Sequence, residues 1–239
     1  MITDVRRALA ESPLTVHGRI VNASNGTLLV EADDAKDVLA VYKPARGERP
    51  LWDFPPATLH LREVAAFEVS DYLGWEVVPP TLLRDGPFGP GSVQLFIEHD
   101  PRQHYFVLVQ DPAHRDALAR MAAFDLVVNN ADRKGGHVLR DADGHLWGCD
   151  HGLTFHEQTK LRTVIWELGG RPLAPRWCDD LRRLAADVTS PESAIYARLA
   201  GLLSPREITV LGQRAEALVA AGVLPDLDPD ERPYPWPPI

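Results

Sequence analysis

Cysteine is nearly absent. Cys149 and Cys178 are the only two in 239 residues, and neither sits in a C-x-x-C or other metal-type spacing. No disulfide framework and no zinc site is therefore expected. No apolar run approaches the length of a membrane span. Met1 to Leu14 is broken by Asp4, Arg6, Arg7 and Glu11, so it lacks the apolar core of a signal peptide. Positive charge is also short: 25 Lys and Arg stand against 34 Asp and Glu, for a net charge of −9. Such a chain has no general electrostatic attraction to nucleic acid or anionic lipid. A cytoplasmic protein without a nucleic-acid partner or stable membrane insertion is the expectation. No internal repeat is visible, and nothing signals an oligomeric state.

What is present is a chain that is 45% hydrophobic, enough for a core in one domain or two small lobes. Residues 2–11 read as a short helix. Val16–Val21 and Thr27–Glu31 read as a hairpin around Asn25-Gly26, a strong turn signal. Val38–Pro44 is a third strand, ending in Lys43. Thr58–Leu73 is the main helix of the first half, with Thr58 as its cap and Gly74 as its stop. Val77–Leu83 reads as a strand interrupted by prolines, Arg84–Gly91 as a turn region, and Ser92–Ile97 as a strand. Glu98-His99-Asp100-Pro101 breaks the pattern and marks a boundary between two lobes.

Beyond Pro112 the composition turns helical. Helices are expected over His114–Val128, Leu161–Trp166, Asp179–Asp187 and Pro191–Leu203. Ser204-Pro205-Arg206-Glu207 opens a last helix that runs to about Ala221. Short strands fall near His137–Arg140 and His145–Cys149, with a turn at Asp143-Gly144. Residues 225–239 hold six prolines and read as an extended tail. The layout is α+β: an antiparallel, sheet-rich portion over 1–98, a mostly helical portion over 99–224, and the tail.

The chemistry gathers in Asn129–Gly152. Asp132 and Asp150 lie on loops joined by a tight hairpin, so their carboxylates can converge. Phosphoryl transfer uses such a pair, one carboxylate orienting a hydroxyl and one binding a metal. Upstream, the small residues Asn22–Thr27 suit a phosphate lid, with Ser24 and Asn25 at its tip. Lys43 is a candidate phosphate clamp, and Glu63, one turn into the main helix, its ion-pair partner. Glu98 and His99 lie where an adenine could pair with backbone. Lys160, Arg162 and Arg171 are candidates for an anionic acceptor.

Asp132-Arg133-Lys134-Gly135-Gly136-His137 is similar to the D-R-x-x-x-N catalytic loop of the phosphatidylinositol 3-/4-kinase-like branch of the protein-kinase-like fold. Cys149-Asp150-His151-Gly152 is similar to its D-F-G metal loop. The interval between the two aspartates, and the placement of Lys43 and Glu63, also resemble that family over roughly residues 15–170, in particular a small actinobacterial member. The resemblance implies a bilobal kinase fold, ATP with Mg²⁺ or Mn²⁺, and a hydroxyl-bearing substrate that could be protein, polyol or lipid. It implies Asp132 as the group acting on the hydroxyl and Arg133 as a neutraliser of developing charge. It implies Lys43 on the phosphates with Glu63 holding it, and Asp150 on the metal. His137 stands where the family has asparagine and His151 where it has phenylalanine. Imidazole suits Mn²⁺ better than Mg²⁺, so His137 is a metal candidate, with Asn129 or Asn130 as substitutes. These departures leave two other outcomes on the same fold: a nucleotide-binding pseudokinase, and transfer of AMP.

Overall fold

The computed structural model describes residues 2–20, 26–35, 37–226 and 234–239. Five strands form one antiparallel sheet: β1 (Leu14–Arg19), β2 (Leu28–Ala32), β3 (Leu39–Pro44), β4 (Thr81–Gly86) and β5 (Gly89–Leu95). Their order is β1-β2-β3-β5-β4. The inward-facing side chains Leu28, Val30, Ala40, Tyr42 and Val93 make a small core with Leu9 of α1 (Ile2–Glu11). Ser24 and Asn25 lie outside the described residues.

The segment read as a turn region is a tight hairpin: its turn is Pro87-Phe88, and β4 and β5 take the rest. Gly86, Gly89 and Gly91 belong to a hairpin folded around the Tyr42 ring. A Cβ at Gly91 would lie 2.5 Å from the Lys43 carbonyl and 2.7 Å from that ring, and one at Gly86 would lie 2.7 Å from the ring. The Tyr42 hydroxyl donates to the Gly89 carbonyl at 2.5 Å. Gly86 and Gly91 are there for a close approach, so a count of turn formers misread them, whereas Gly89, at φ 96°, does serve the turn. Upstream, Val77–Pro80 is not strand: the Val77 and Val78 amides donate to Ser70 Oγ at 2.9 and 3.1 Å.

The main helix, α2 (Leu59–Leu73), ends at Gly74 in the left-handed region. Thr58 does not cap it, because its hydroxyl donates to the Pro55 carbonyl. The cap is Glu48, whose carboxylate accepts from the Leu59 and His60 amides at 3.1 and 2.8 Å. The second lobe contains α3 (Tyr105–Leu108), α4 (Arg115–Val128), the hairpin β6 (Val138–Arg140) and β7 (Leu146–Gly148), α5 (Pro175–Asp187), α6 (Ala194–Ala200) and α7 (Pro205–Ala221). Ser204 and Glu207 form the capping box of α7, and Gly222 ends it. No helix forms over Leu161–Trp166. There Arg133 and Thr163 make a parallel bridge, and the backbone pairs with the loop that carries Asp132 instead of with itself.

The large core joins α4, α5, α6 and α7 to the buried face of α2, including Ala65, Phe67 and Val69. Among the described residues no helix is long and apolar enough to cross a membrane.

Candidate active site

Lys43 leaves β3 opposite Ser92, one residue before the strand ends. Its ammonium is mostly buried and donates to Glu63 Oε1 and, at 2.8 Å, to Asp150 Oδ1. Burial works against that charge, but Asp150 and Glu63 outweigh it and hold the ammonium above its ordinary pKa. The second oxygen of Glu63 accepts from the His151 amide at 3.0 Å. One buried glutamate thus connects Lys43, α2 and the loop that carries Asp150.

Asp150 sits at φ 59°, in the left-handed region that a non-glycine residue seldom adopts. Lys43, acting against burial, holds its carboxyl well below the usual range, so it is ionised at any working pH. The side chain is 43% exposed to the cleft, and Oδ2 lies 3.5 Å from His137 Nε2. Burial pushes His137 down to about 4, so its imidazole is neutral and can act as a ligand. An ionised carboxylate oxygen beside a neutral imidazole fits a divalent cation. Among the described residues no cluster of three or more His, Cys, Asp or Glu could hold a metal alone. Asn129 and Asn130 are occupied elsewhere. Asn129 binds the backbone of His156, Gln158 and Lys160, and Asn130 binds Asp125 and the Asp132 amide.

The loop carrying Asp132 is held from both sides. The Ala131 amide donates to the Leu153 carbonyl, and the Arg162 amide to the Asn130 carbonyl. Burial raises the Asp132 carboxyl to about 6, although Lys134 Nζ lies 3.4 Å from Oδ2. A carboxylate so tuned accepts a proton more readily than an exposed one.

Arg133 does not face this cleft. It is fully buried, forms a bidentate pair with Asp125 at 2.8 Å, and donates to the Cys149 carbonyl at 2.9 Å and His151 Nε2 at 2.6 Å. It ties the two loops together and is shielded from any phosphate, which corrects its reading as a neutraliser of developing charge. Glu98 is exposed and does not line the cleft. His99 does line it, with Nδ1 2.8 Å from the Ile97 carbonyl. Arg171 pairs with Asp116, outside the cleft.

The cleft has two chambers that share Lys43, Lys134 and Asp150. One, of about 380 Å³, is walled by Ile20, Val41, Leu95, Phe96, Ile97 and Leu139, and suits a flat apolar ring. The other, of about 470 Å³, contains Asp132, Lys160 and Arg162 together with Trp52 and Trp236. Sequence reasoning missed Glu48, Lys134, Trp52 and Trp236. Only Lys134 had a local signal, since side chains two apart on an extended loop share a side.

This two-lobed arrangement is a protein-kinase-like fold, and it matches solved kinase structures along most of the chain. The likeness to the crystal structure of the Golgi casein kinase has a TM-score of 0.61 at 16% identity and covers 92% of this chain and 73% of that one. For the same kinase with Mn/ADP bound, the TM-score is 0.58 at 15% identity, covering 96% and 80%. No family model matches the sequence. The chain is 40% identical over 268 residues to the protein Rv2133c of Mycobacterium tuberculosis, covering 98% of this chain and 95% of that protein. It belongs to the family of Rv2133c.

Proposed function

We propose that this protein is an ATP-dependent phosphotransferase that moves the γ-phosphate to a hydroxyl acceptor. The observation that carries the reading is the meeting of Lys43, Glu63 and Asp150 at the junction of the two chambers, with Asp132 in the wall of the second. The apolar chamber takes the adenine. Lys43 draws the phosphates to the junction, and Glu63 keeps it there. Asp150 and His137 hold the divalent ion, Mn²⁺ or Mg²⁺, which would neutralise charge on the phosphates when bound. Asp132 orients the acceptor hydroxyl and takes its proton, and Lys134 meets the transferring group. Catalysis of this kind rests on positioning and charge.

The second chamber lies in the size range of small-molecule sites, roughly 300–1,000 Å³. Its two exposed indoles and its cations Lys160 and Arg162 favour a small soluble hydroxyl compound with an anionic group over a lipid. The motifs D-R-x-x-x-H and D-H-G also support placement near the phosphatidylinositol 3-/4-kinase-like branch. The imidazole at residue 137 favours Mn²⁺, and the Golgi casein kinase, which shares the fold, binds Mn/ADP.

Purified protein with ATP and Mn²⁺ is expected to turn ATP over slowly or to phosphorylate itself, and Asp150→Ala to abolish both. Unchanged turnover in that variant would falsify the site. Mass spectrometry of the product separates added phosphate from added AMP. Tight ATP binding with no transfer would identify the pseudokinase instead.

A further inference from the structure

The segment Tyr234–Ile239 returns to the catalytic loop across about a hundred residues of sequence. Gly135 donates its amide to the Pro238 carbonyl at 2.8 Å. A Cβ on Gly135 would press on the Phe106 ring at 3.1 Å and touch the Pro238 carbonyl at 3.4 Å, so the two segments meet closely here. Pro235 is buried, whereas Trp236 is 89% exposed and stands in the wall of the chamber that contains Asp132. Gly135 is also the first residue of a single turn, Gly135–His137, set between Lys134 and His137. Whatever holds Gly135 therefore sets the directions of both neighbours. Proline suits the task, since its fixed φ lowers the entropy lost on docking and its carbonyl remains a free acceptor.

Resting on the phosphotransferase reading above, we infer that Tyr234–Ile239 is a positioning segment of the active site: its Pro238 carbonyl holds the Gly135 turn, and through it Lys134 and His137, in working geometry. The segment contributes no group to the chemistry. Its effect belongs on kcat and on metal affinity, not on binding of the metal-free nucleotide, because the apolar chamber has none of its residues in its wall.

The test keeps the chain at full length and replaces Tyr234–Ile239 by glycine and serine. Hydrogen exchange of the Gly135 amide should quicken by about tenfold or more as its acceptor is lost. The Kd for ATP without divalent metal, by calorimetry, should stay within about threefold, while kcat for ATP turnover at saturating Mn²⁺ falls by about tenfold or more. Returning only Pro235-Trp236-Pro237-Pro238 to that background should restore kcat. If the intact chain binds ATP without turning it over, Mn²⁺ affinity in the presence of ADP replaces kcat as the readout, and should weaken by about tenfold. Equal exchange at Gly135 in both proteins, or unchanged kcat and Mn²⁺ affinity, overturns the inference. An intact chain that binds no ATP removes the phosphotransferase reading itself.

Discussion

Asp132 is kept in a state that costs the fold something. Its carboxyl, raised by burial to about 6, binds a proton more readily folded than unfolded, where a value near 3.8 applies. Above pH 6 its charge destabilises the native state, and that penalty is relieved as the pH falls from 7 towards 4. A proton acceptor works in the opposite sense, so turnover should decline below about pH 6 while the protein itself grows no less stable. Asp132→Asn should abolish turnover and stabilise the fold at pH 7 by roughly 1–2 kcal/mol, read from denaturant melts at pH 5 and 7, with the gain shrinking at the lower pH. Arg133 offers the contrast. Its loss leaves Asp125 buried and unpaired, so Arg133→Ala should destabilise by about 3–5 kcal/mol. A folded Arg133→Ala variant of normal stability but no activity would contradict this structural role.

β3 ends with Lys43 pressed against the glycine hairpin, so the lysine's position depends on what Gly91 lacks. Gly91→Ala would put a methyl group against the Lys43 carbonyl and the Tyr42 ring. A loss of about 1–3 kcal/mol is expected. ATP affinity should fall as well, because the displaced strand end carries Lys43, the proposed phosphate ligand. α2 depends similarly on a distant residue. Glu48→Ala removes the acceptor of two amides at its first turn, and about 1 kcal/mol of stability should go with it.

Across the molecule, α2 is bound to both lobes. Arg62, fully buried, donates to Glu207 at 2.5 Å and to the Thr154 carbonyl at 2.6 Å, and stacks 5.0 Å from the Phe54 ring. Tyr72 bonds Asp187, Trp75 bonds Asp180 at 3.0 Å, and Arg198 reaches Glu68 at 3.1 Å. The helix that carries Glu63 is thus secured to α5, α6 and α7. Arg62→Ala should cost about 3–5 kcal/mol by stranding Glu207. The double variant Arg62→Ala, Glu207→Ala should recover part of that loss, with a coupling of about 1–3 kcal/mol in a mutant cycle. Simple additivity would show that the two residues do not act as a pair.

Where local chemistry decides, the sequence was sufficient. The capping box at Ser204 and Glu207, the stops at Gly74 and Gly222, and the order of sheet and helices all come from interactions within a few residues. Lys43, Glu63, Asp132 and Asp150 stood out as candidates because each falls at a strand or helix end, or on a loop, in the order that phosphoryl transfer requires. Other features needed the folded chain. Gly86 and Gly91 read as turn residues until Tyr42 lay across them. Thr58 read as a cap until Glu48 arrived from the preceding loop. Arg133 read as a cleft cation until burial enclosed it with Asp125. Trp236 read only as part of an extended tail until Pro238 met Gly135. The physical difference is distance along the chain. Propensity and capping act over a turn or a strand, whereas burial, close approach and ion pairing are decided by residues that only the complete fold brings together.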